Sequence, residues 1–209
     1  VCGACHDHPP TKNTVPTCAY CARAGNALAK NGTIGAIDPN DVVAKYVFEI
    51  SDTLDKLQLA GNTLVFFTSD NGGLLSSGAN NGPWRSGKTH MYEGGLRVPA
   101  IARWPEKIKP GSQSDRHCLT MDLFPTICDA AGVPQLAGLD AESLLPTLLG
   151  KTHGDPERDH YFVRREGGPQ YGGKTIEALI HGDWKLVQDS PFAPLELFNL
   201  RSDPAEANN

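Results

Sequence analysis

The stretch from residue 38 to residue 73 constrains the fold most, because a helical pattern gives way there to a strand pattern within a few residues. Residues 38–41, Asp-Pro-Asn-Asp, combine an N-cap acid with a proline at the first helical position. Apolar residues then recur at spacings of 4, 3, 4 and 3, which predicts a helical stripe made of Val43, Val47, Ile50, Leu54 and Leu57. Gly61 can end this helix, and the run at 63–68, Thr-Leu-Val-Phe-Phe-Thr, predicts a strand buried on both faces. A helix followed at once by such a strand predicts an α/β unit.

The rest of the chain predicts shorter elements, and near residue 150 the pattern changes from mixed helices and strands to short β-rich runs. A second strand is expected at 98–104, and short helices at 122–131 and 141–149, each with a glycine just past its end. After residue 150, four short β-rich runs predict a small antiparallel sheet: 161–165, 176–181, 184–187 and 195–200. We therefore predict three parts, namely an irregular Cys-containing segment at 1–37, an α/β part at 38–150 and a small sheet subdomain at 151–209.

Charge and hydropathy exclude two classes of partner. The net charge of the 209-residue chain is −5, which leaves no basic footprint for a nucleic acid. No apolar run approaches the roughly 18 residues that a membrane-spanning helix needs, and the opening residues do not follow the pattern of a signal peptide. We expect neither a nucleic-acid partner nor a membrane partner.

The Asp-Asn-Gly-Gly sequence at 70–73 follows directly on the predicted strand at 63–68. Open α/β sheets collect ligands at the carboxyl ends of their strands. A carboxylate beside an amide carbonyl supplies the hard oxygen ligands that Ca²⁺ or Mg²⁺ prefers, which makes Asp70 and Asn71 candidate metal ligands. The alternative is an ordinary Asx-turn that ends a strand.

The next polar stretch, residues 80–105, carries several cations on a Gly-rich loop: Arg85, Lys88, His90 and Arg97. Cations and closely approaching backbone beside a metal-binding turn are what an oxyanion ester would need, since its charge must be neutralised. Taken one at a time, each of these cations is also consistent with a solvated surface residue.

The chain resembles the sulfatase family in three long motifs, which occur in the family's order: TLVFFTSDNGG, NGPWRSGKTHMYEGGLRVPAIARWP and MDLFPTICDAAGV. Two later segments, GLDAESLLPTLLG and GDWKLVQDSPFAPLELFNLRSDPAEANN, are similar to the same family. The resemblance covers about residues 41–209. It implies an α/β fold that is part of an alkaline-phosphatase-like sandwich, with a smaller C-terminal antiparallel-sheet subdomain. It also implies hydrolysis of a sulfate ester, on a small molecule or a glycan, at a calcium site outside the cytoplasm (periplasmic, secreted or lysosomal).

Matched position by position, the resemblance assigns roles to four residues. Asp70 and Asn71 match two of the calcium ligands, and Lys88 matches the catalytic lysine that binds the substrate sulfate. His8, in His-Asp-His-Pro-Pro-Thr, is the candidate for the histidine that faces the sulfate, and His6 competes with it.

The chain departs from the family pattern at the nucleophile. Sulfatases carry it in a Cys/Ser-x-Pro-x-Arg pentapeptide, and no such pentapeptide occurs among these 209 residues. The paired N-terminal aspartates that complete the calcium site are missing as well. We therefore expect the C-terminal portion of a sulfatase, inactive as an isolated chain and completed by a missing N-terminal half. Two alternatives stay open: a non-catalytic sulfatase-like protein with a structural zinc site at Cys2, Cys5, Cys18 and Cys21, and a phosphoester or phosphonate hydrolase of the same superfamily.

The first 21 residues hold two Cys-x-x-Cys pairs, made of Cys2, Cys5, Cys18 and Cys21. Two such pairs separated by twelve residues fit a structural zinc site with four thiolate ligands. The sequence Cys-Gly-Ala-Cys-His also satisfies the haem-attachment pattern, with His6 as the axial ligand. Free thiols or disulfides in a loop that varies within the family are the third interpretation.

Overall fold

The structure, a computed structural model, describes residues 42–151, 155, 157–165 and 174–209, with side chains from residue 46 onward. The predicted Cys-containing segment at 1–37, with its four cysteines, His6 and His8, lies outside the described residues. The chain divides into two compact units. The first contains the described residues up to Thr68 and those of Pro99–Gly154, and the second contains Ser69–Val98 and Asp155–Asn209. The domain limits given by the sequence, 1–37, 38–150 and 151–209, stay a prediction.

The first unit combines helices with a two-stranded sheet. Its helices are α1 (Val42–Lys56), α3 (Leu123–Ala131) and α4 (Leu145–Leu148), with 3₁₀ turns at Ala60–Asn62 and Thr120–Asp122. Strands β1 (Val65–Thr68) and β2 (Ala100–Arg103) pair antiparallel, with Val65 opposite Arg103. Among the described residues, no helix has both the length and the apolar character needed to cross a membrane.

Burial in this unit differs from the sequence prediction in two places. All four residues of β1 are half-buried rather than fully buried, and among the described residues β1 pairs only with β2. Along α1, Val47 and Leu54 are half-buried, whereas Ile50 and Leu57 are exposed. The apolar spacing therefore predicted the helix correctly, but it overestimated how much of the apolar face of the helix is buried.

Helix α4 is shorter than the predicted helix at 141–149 because Pro146, which has no N–H to donate to a preceding turn, is tolerated only near the start of a helix. The fully buried Asp122 accepts the N–H of Glu142 at 2.9 Å, and the Thr126 hydroxyl accepts the N–H of Leu144 at 2.7 Å. Those two N–H groups are thereby bonded outside any helix. Helix α3 ends as predicted, with Gly132 in the left-handed region at φ 68°.

The second unit is built on a four-stranded antiparallel sheet, as the sequence predicted for the C-terminal runs. Its strands follow the order β3 (His160–Arg165), β4 (Thr175–His181), β5 (Trp184–Gln188) and β6 (Glu196–Asn199). One face of this sheet packs against residues of the loop that precedes the four-residue helix α2 (Glu93–Leu96). The buried cluster consists of Met91, Tyr92, Ile176, Ala178, Val187 and Phe198. The loop with the candidate sulfate-binding lysine is thus part of the core of this unit.

Candidate functional site

The Asp-Asn-Gly-Gly turn has its two candidate ligands in different environments. The Asp70 side chain is exposed, and Asn71 is half-buried. The Ser69 hydroxyl donates to the carbonyl of Asn71 at 2.8 Å, which closes the turn. The Asn71 amide nitrogen donates to the carbonyl of Gly72 at 2.9 Å. Because that bond uses the nitrogen, the amide oxygen is the atom that Asn71 offers to a cation.

The two glycines of the turn are required by close backbone contacts. The N–H of Gly72 donates to the carbonyl of Gly95 in α2 at 2.9 Å. A Cβ added at Gly72 would lie 1.7 Å from the carbonyl oxygen of Gly94, and one at Gly73 would lie 2.6 Å from the Cβ of Ala79. The turn therefore contacts α2 directly, and a side chain at Gly72 would prevent that contact.

A buried asparagine, which sequence reasoning missed, joins the turn to the loop. Asn81 is only 4% exposed. Its side-chain oxygen accepts the N–H of Gly73 at 2.8 Å, and its nitrogen donates to the carbonyls of Gly73 at 3.0 Å and Ser86 at 2.9 Å. The only signal in the sequence was an Asn-Asn-Gly run, which reads as an ordinary turn.

Lys88 is joined to the same turn through its backbone. Its N–H donates to the carbonyl of Gly73 at 3.0 Å. Two of its neighbours have left-handed backbone, Ser86 at φ 60° and Thr89 at φ 86°. Such a conformation is rare for a β-branched residue such as Thr and is found preferentially at functional sites. The structure therefore brings the predicted sulfate-binding loop onto the predicted metal-binding turn.

The four cations of this loop differ in whether the protein already neutralises them. Arg85 pairs with Glu196 at 3.1 Å, His90 with Asp189 at 2.8 Å, and Arg97 with Glu93 at 3.5 Å. Lys88 alone has an exposed side chain with no hydrogen-bond or ion-pair partner among the described residues. A cation held at its backbone and unpaired at its ammonium group is suited to bind an anion from solution.

Helix α2 is the element against which both the turn and the lysine loop are held. The N–H of Gly94 donates to the carbonyl of Arg85 at 2.8 Å. A Cβ at Gly94 would lie 2.2 Å from the carbonyl oxygen of Ser86, and one at Gly95 would lie 2.2 Å from that of His90. The Glu-Gly-Gly sequence thus allows the loop backbone to pass directly over the helix.

A buried cluster of charges fixes α2 to the sheet. The Lys185 ammonium group on β5 is fully buried and lies 2.9 Å from Glu93 and 2.8 Å from Glu206. The carboxylate of Glu206 also accepts the N–H of Glu93 at 2.6 Å. Burial raises the pKa of the Glu206 carboxyl, and the Lys185 charge opposes that rise. The sequence did not reveal this cluster, because Lys185 lies inside a strand pattern and reads as a solvent-facing residue.

A second cluster holds the other end of the loop. The Arg85 guanidinium lies 3.7 Å above the centre of the Tyr92 ring and donates to the Tyr92 hydroxyl at 3.0 Å. It also donates to the backbone carbonyl of Glu206 at 3.1 Å. The Tyr92 hydroxyl in turn donates to Glu196. Burial and this bond to Glu196 raise the pKa of Tyr92.

His90 and Asp189 form a further contact between the loop and the end of β5. One carboxylate oxygen of Asp189 lies 2.8 Å from Nδ1 of His90, and the other accepts the N–H of Met91 at 3.1 Å. Since a carboxylate only accepts hydrogen bonds, Nδ1 of His90 carries the proton.

The family comparison adds an independent finding. The family model described as Sulfatase matches residues 42–133. An N-acetylgalactosamine-6-O-sulfatase of Bacteroides thetaiotaomicron is 33% identical over 77% of this chain. The chain belongs to the sulfatase family.

Other sulfatases agree with this assignment. The steryl-sulfatase of Rattus norvegicus is 42% identical over 77% of the chain, and the N-acetylgalactosamine-6-sulfatase of Sus scrofa is 38% identical over 79%. The chain covers 35%, 33% and 31% of these three relatives, respectively, and so spans about a third of their length.

Solved structures confirm the predicted fold class. Ps i-CgsB, solved in complex with k-i-k-neocarrahexaose, has a TM-score of 0.72 and 31% identity over 80% of this chain and 36% of its own. A protein solved with its substrate D-glucosamine-2-N,6-O-disulfate has a TM-score of 0.67 and 27% identity over 80% of this chain and 33% of its own. The fold is therefore α/β of the alkaline-phosphatase-like sulfatase type, with the four-stranded antiparallel sheet described above. The roles of Asp70, Asn71 and Lys88 stay predictions.

Proposed function

We propose that this chain is the C-terminal portion of a sulfatase that hydrolyses sulfate esters, and that Lys88 binds the substrate sulfate. The observation that carries the proposal is the exposed ammonium group of Lys88, which has no partner in the part of the chain that the structure describes and lies on a loop whose backbone is bonded to the Asp70–Asn71 turn. The other three cations of the loop, Arg85, His90 and Arg97, each pair with a carboxylate.

The donor set at the turn fits calcium. Asp70 and Asn71 offer a carboxylate and an amide oxygen, which are hard ligands, and Ca²⁺ takes about six to eight such oxygens. Among the described residues, no group of three or more His, Cys, Asp and Glu side chains could hold a metal ion. We therefore propose that these two residues supply part of the coordination shell and that the missing N-terminal half supplies the rest. When bound, calcium would add positive charge beside the sulfate oxygens.

The chain's own contribution to the reaction is charge neutralisation. Hydrolysis requires a nucleophile to attack sulfur while the bond from sulfur to the ester oxygen breaks and the leaving alcohol gains a proton. Lys88 would stabilise the negative charge on the sulfate oxygens during this displacement. The nucleophile would come from the missing half, and the proton from a histidine, for which His8 is the candidate in this chain.

For the substrate we propose a sulfated sugar or glycan. Two of the relatives act, by their names, on N-acetylgalactosamine 6-sulfate groups, and two of the similar structures hold a neocarrahexaose and a disulfated glucosamine. The steryl-sulfatase shows that a sulfated small molecule fits the same family. Such substrates favour a location outside the cytoplasm.

Turnover of an aryl sulfate tests the proposal. The isolated 209-residue chain should show no turnover with calcium present, because it supplies no nucleophile. The chain preceded by its own nucleophile-bearing segment should be active, and Lys88→Ala should then lower kcat/KM by roughly 10²–10³-fold. Lys107→Ala, which removes another exposed lysine, is the matched control and should leave the rate unchanged.

Two results would overturn the assignment. Robust turnover by the isolated chain would place the nucleophile within these residues. An active extended protein in which Lys88→Ala behaves like Lys107→Ala would show that Lys88 does not bind the sulfate.

A further inference from the structure

The position of Lys88 is set by residues far from it in sequence, and helix α2 is the link. The turn at residues 70–73 reaches α2 through the bond from Gly72 to Gly95. The lysine loop reaches it through the bond from Gly94 to Arg85, and the bond from Lys88 to Gly73 closes the arrangement. A displacement of α2 would therefore displace both the candidate metal ligands and the candidate sulfate-binding residue.

Helix α2 cannot hold this position by itself. It contains four residues, two of which are glycines, and so short a helix has little stability of its own. Its first residue is instead bound at two points. The Glu93 carboxylate pairs with Lys185, and the Glu93 N–H donates to the carboxylate of Glu206.

The buried charges of this cluster indicate that its role is to orient α2 rather than to stabilise the fold. Three ionisable side chains are buried together, with Glu93 4%, Glu206 1% and Lys185 0% exposed. Burying charges costs free energy, and well-packed apolar residues of similar volume commonly give equal or greater stability. The inner face of the sheet otherwise supplies apolar neighbours such as Ala178 and Val187. An ion pair and a charge-assisted hydrogen bond fix direction and distance, which apolar packing does not.

We propose that Lys185 and Glu206 are positioning residues, which hold α2 and through it place both the Asp70–Asn71 turn and Lys88. The functional part of this inference rests on the proposed sulfatase site, whereas the mechanical part can be tested without it. Neither residue needs to contact sulfate or metal.

Amide hydrogen exchange measured by NMR tests the mechanical part on the full 209-residue chain. Glu206→Ala removes the acceptor for the Glu93 N–H but leaves Lys185 and Glu93 as a balanced pair. Loss of a hydrogen bond to a charged group should speed exchange at the Gly72, Gly94 and Lys88 amides by about tenfold or more. Amides of the β3–β4 ladder should change less.

Leu186→Ala is the matched control, since Leu186 is next to Lys185 on β5 and its side chain points to the opposite face of the sheet. This variant should speed the ladder amides at least as much as those of Gly72 and Lys88. Lys185→Met should act like Glu206→Ala, and more strongly, if it folds; Glu206→Ala carries the test if it does not.

The proposal is overturned if Glu206→Ala leaves the Gly72 and Lys88 amides at their wild-type rates, or if it speeds all amides of the second unit equally. A sodium sulfate titration then separates the two proposals. Sulfate should shift the Lys88 amide resonance in the wild type, with an apparent affinity that Glu206→Ala lowers. If exchange changes as expected but sulfate does not shift Lys88 in the wild type, the positioning role is supported and sulfate binding by Lys88 in the 209-residue chain is contradicted.

Discussion

Replacement of Gly72 by alanine should uncouple the Asp70–Asn71 turn from α2. The added Cβ would lie 1.7 Å from the carbonyl oxygen of Gly94, whereas real Cβ contacts essentially never fall below 3.0 Å. The two backbone segments would have to separate by at least 1.3 Å to reach that limit. A flexible side chain could move aside at little cost in free energy. Here the Cβ is fixed to the backbone at residue 72 and would meet the backbone of Gly94, and both segments are packed among other close backbone contacts.

The expected cost combines two effects. Overpacking a tight site costs typically about 1–3 kcal/mol, and separation also breaks the 2.9 Å bond from Gly72 to Gly95, worth about 1 kcal/mol. We therefore expect Gly72→Ala to lower the free energy of unfolding by roughly 2–4 kcal/mol, a large share of the 5–15 kcal/mol typical of folded domains.

Urea unfolding followed by circular dichroism measures this change. Gly61→Ala is the control, because its Cβ would have its nearest neighbour at 4.0 Å and the position has no left-handed backbone. It should shift the free energy of unfolding by less than about 1 kcal/mol, in either direction. Equal midpoints for the two variants would refute the close approach of the turn and α2.

Three further predictions concern a buried asparagine, a buried carboxyl group and the N-terminal cysteines. Asn81→Ala should lower the free energy of unfolding by roughly 2–4 kcal/mol in urea, because it removes three hydrogen bonds made by a buried side chain; Asn80→Ala, at the exposed neighbour, should cost less than about 1 kcal/mol. Since the pKa of Glu206 is raised in the folded state, its contribution to stability is greatest below the usual glutamate pKa and is lost as the pH rises through the raised value. The unfolding free energy of the wild type relative to Glu206→Gln should therefore fall over that range, and a constant difference would contradict the raised pKa. Metal analysis of the purified chain should find about one zinc per chain if Cys2, Cys5, Cys18 and Cys21 form a structural site, and four disulfide-bonded or freely reactive cysteines without zinc would exclude it.

The sequence predicted elements well where the pattern is local. The four runs after residue 150 form the four strands of one sheet, because alternating apolar residues and turn residues act over a few positions. The predicted helix at 141–149 begins only at Leu145, and the sequence did not reveal that the N–H groups of Glu142 and Leu144 bond to Asp122 and Thr126, about 20 positions away. Contacts at that separation leave no periodic signal.

Two lysines of the second unit show that contacts between residues far apart in sequence could not be predicted from a local pattern. Lys88 could be proposed as a site residue from the sequence because its neighbours form one motif, the glycine before it and the Glu-Gly-Gly after it. Lys185 could not, because the two carboxylates that pair with it come from positions 92 residues before it and 21 residues after it. Among the described residues, Lys88 is exposed and has no partner, whereas Lys185 is buried with its two counter-charges. The burial and the pairing of Lys185 are visible only once the sheet and the loop are folded together.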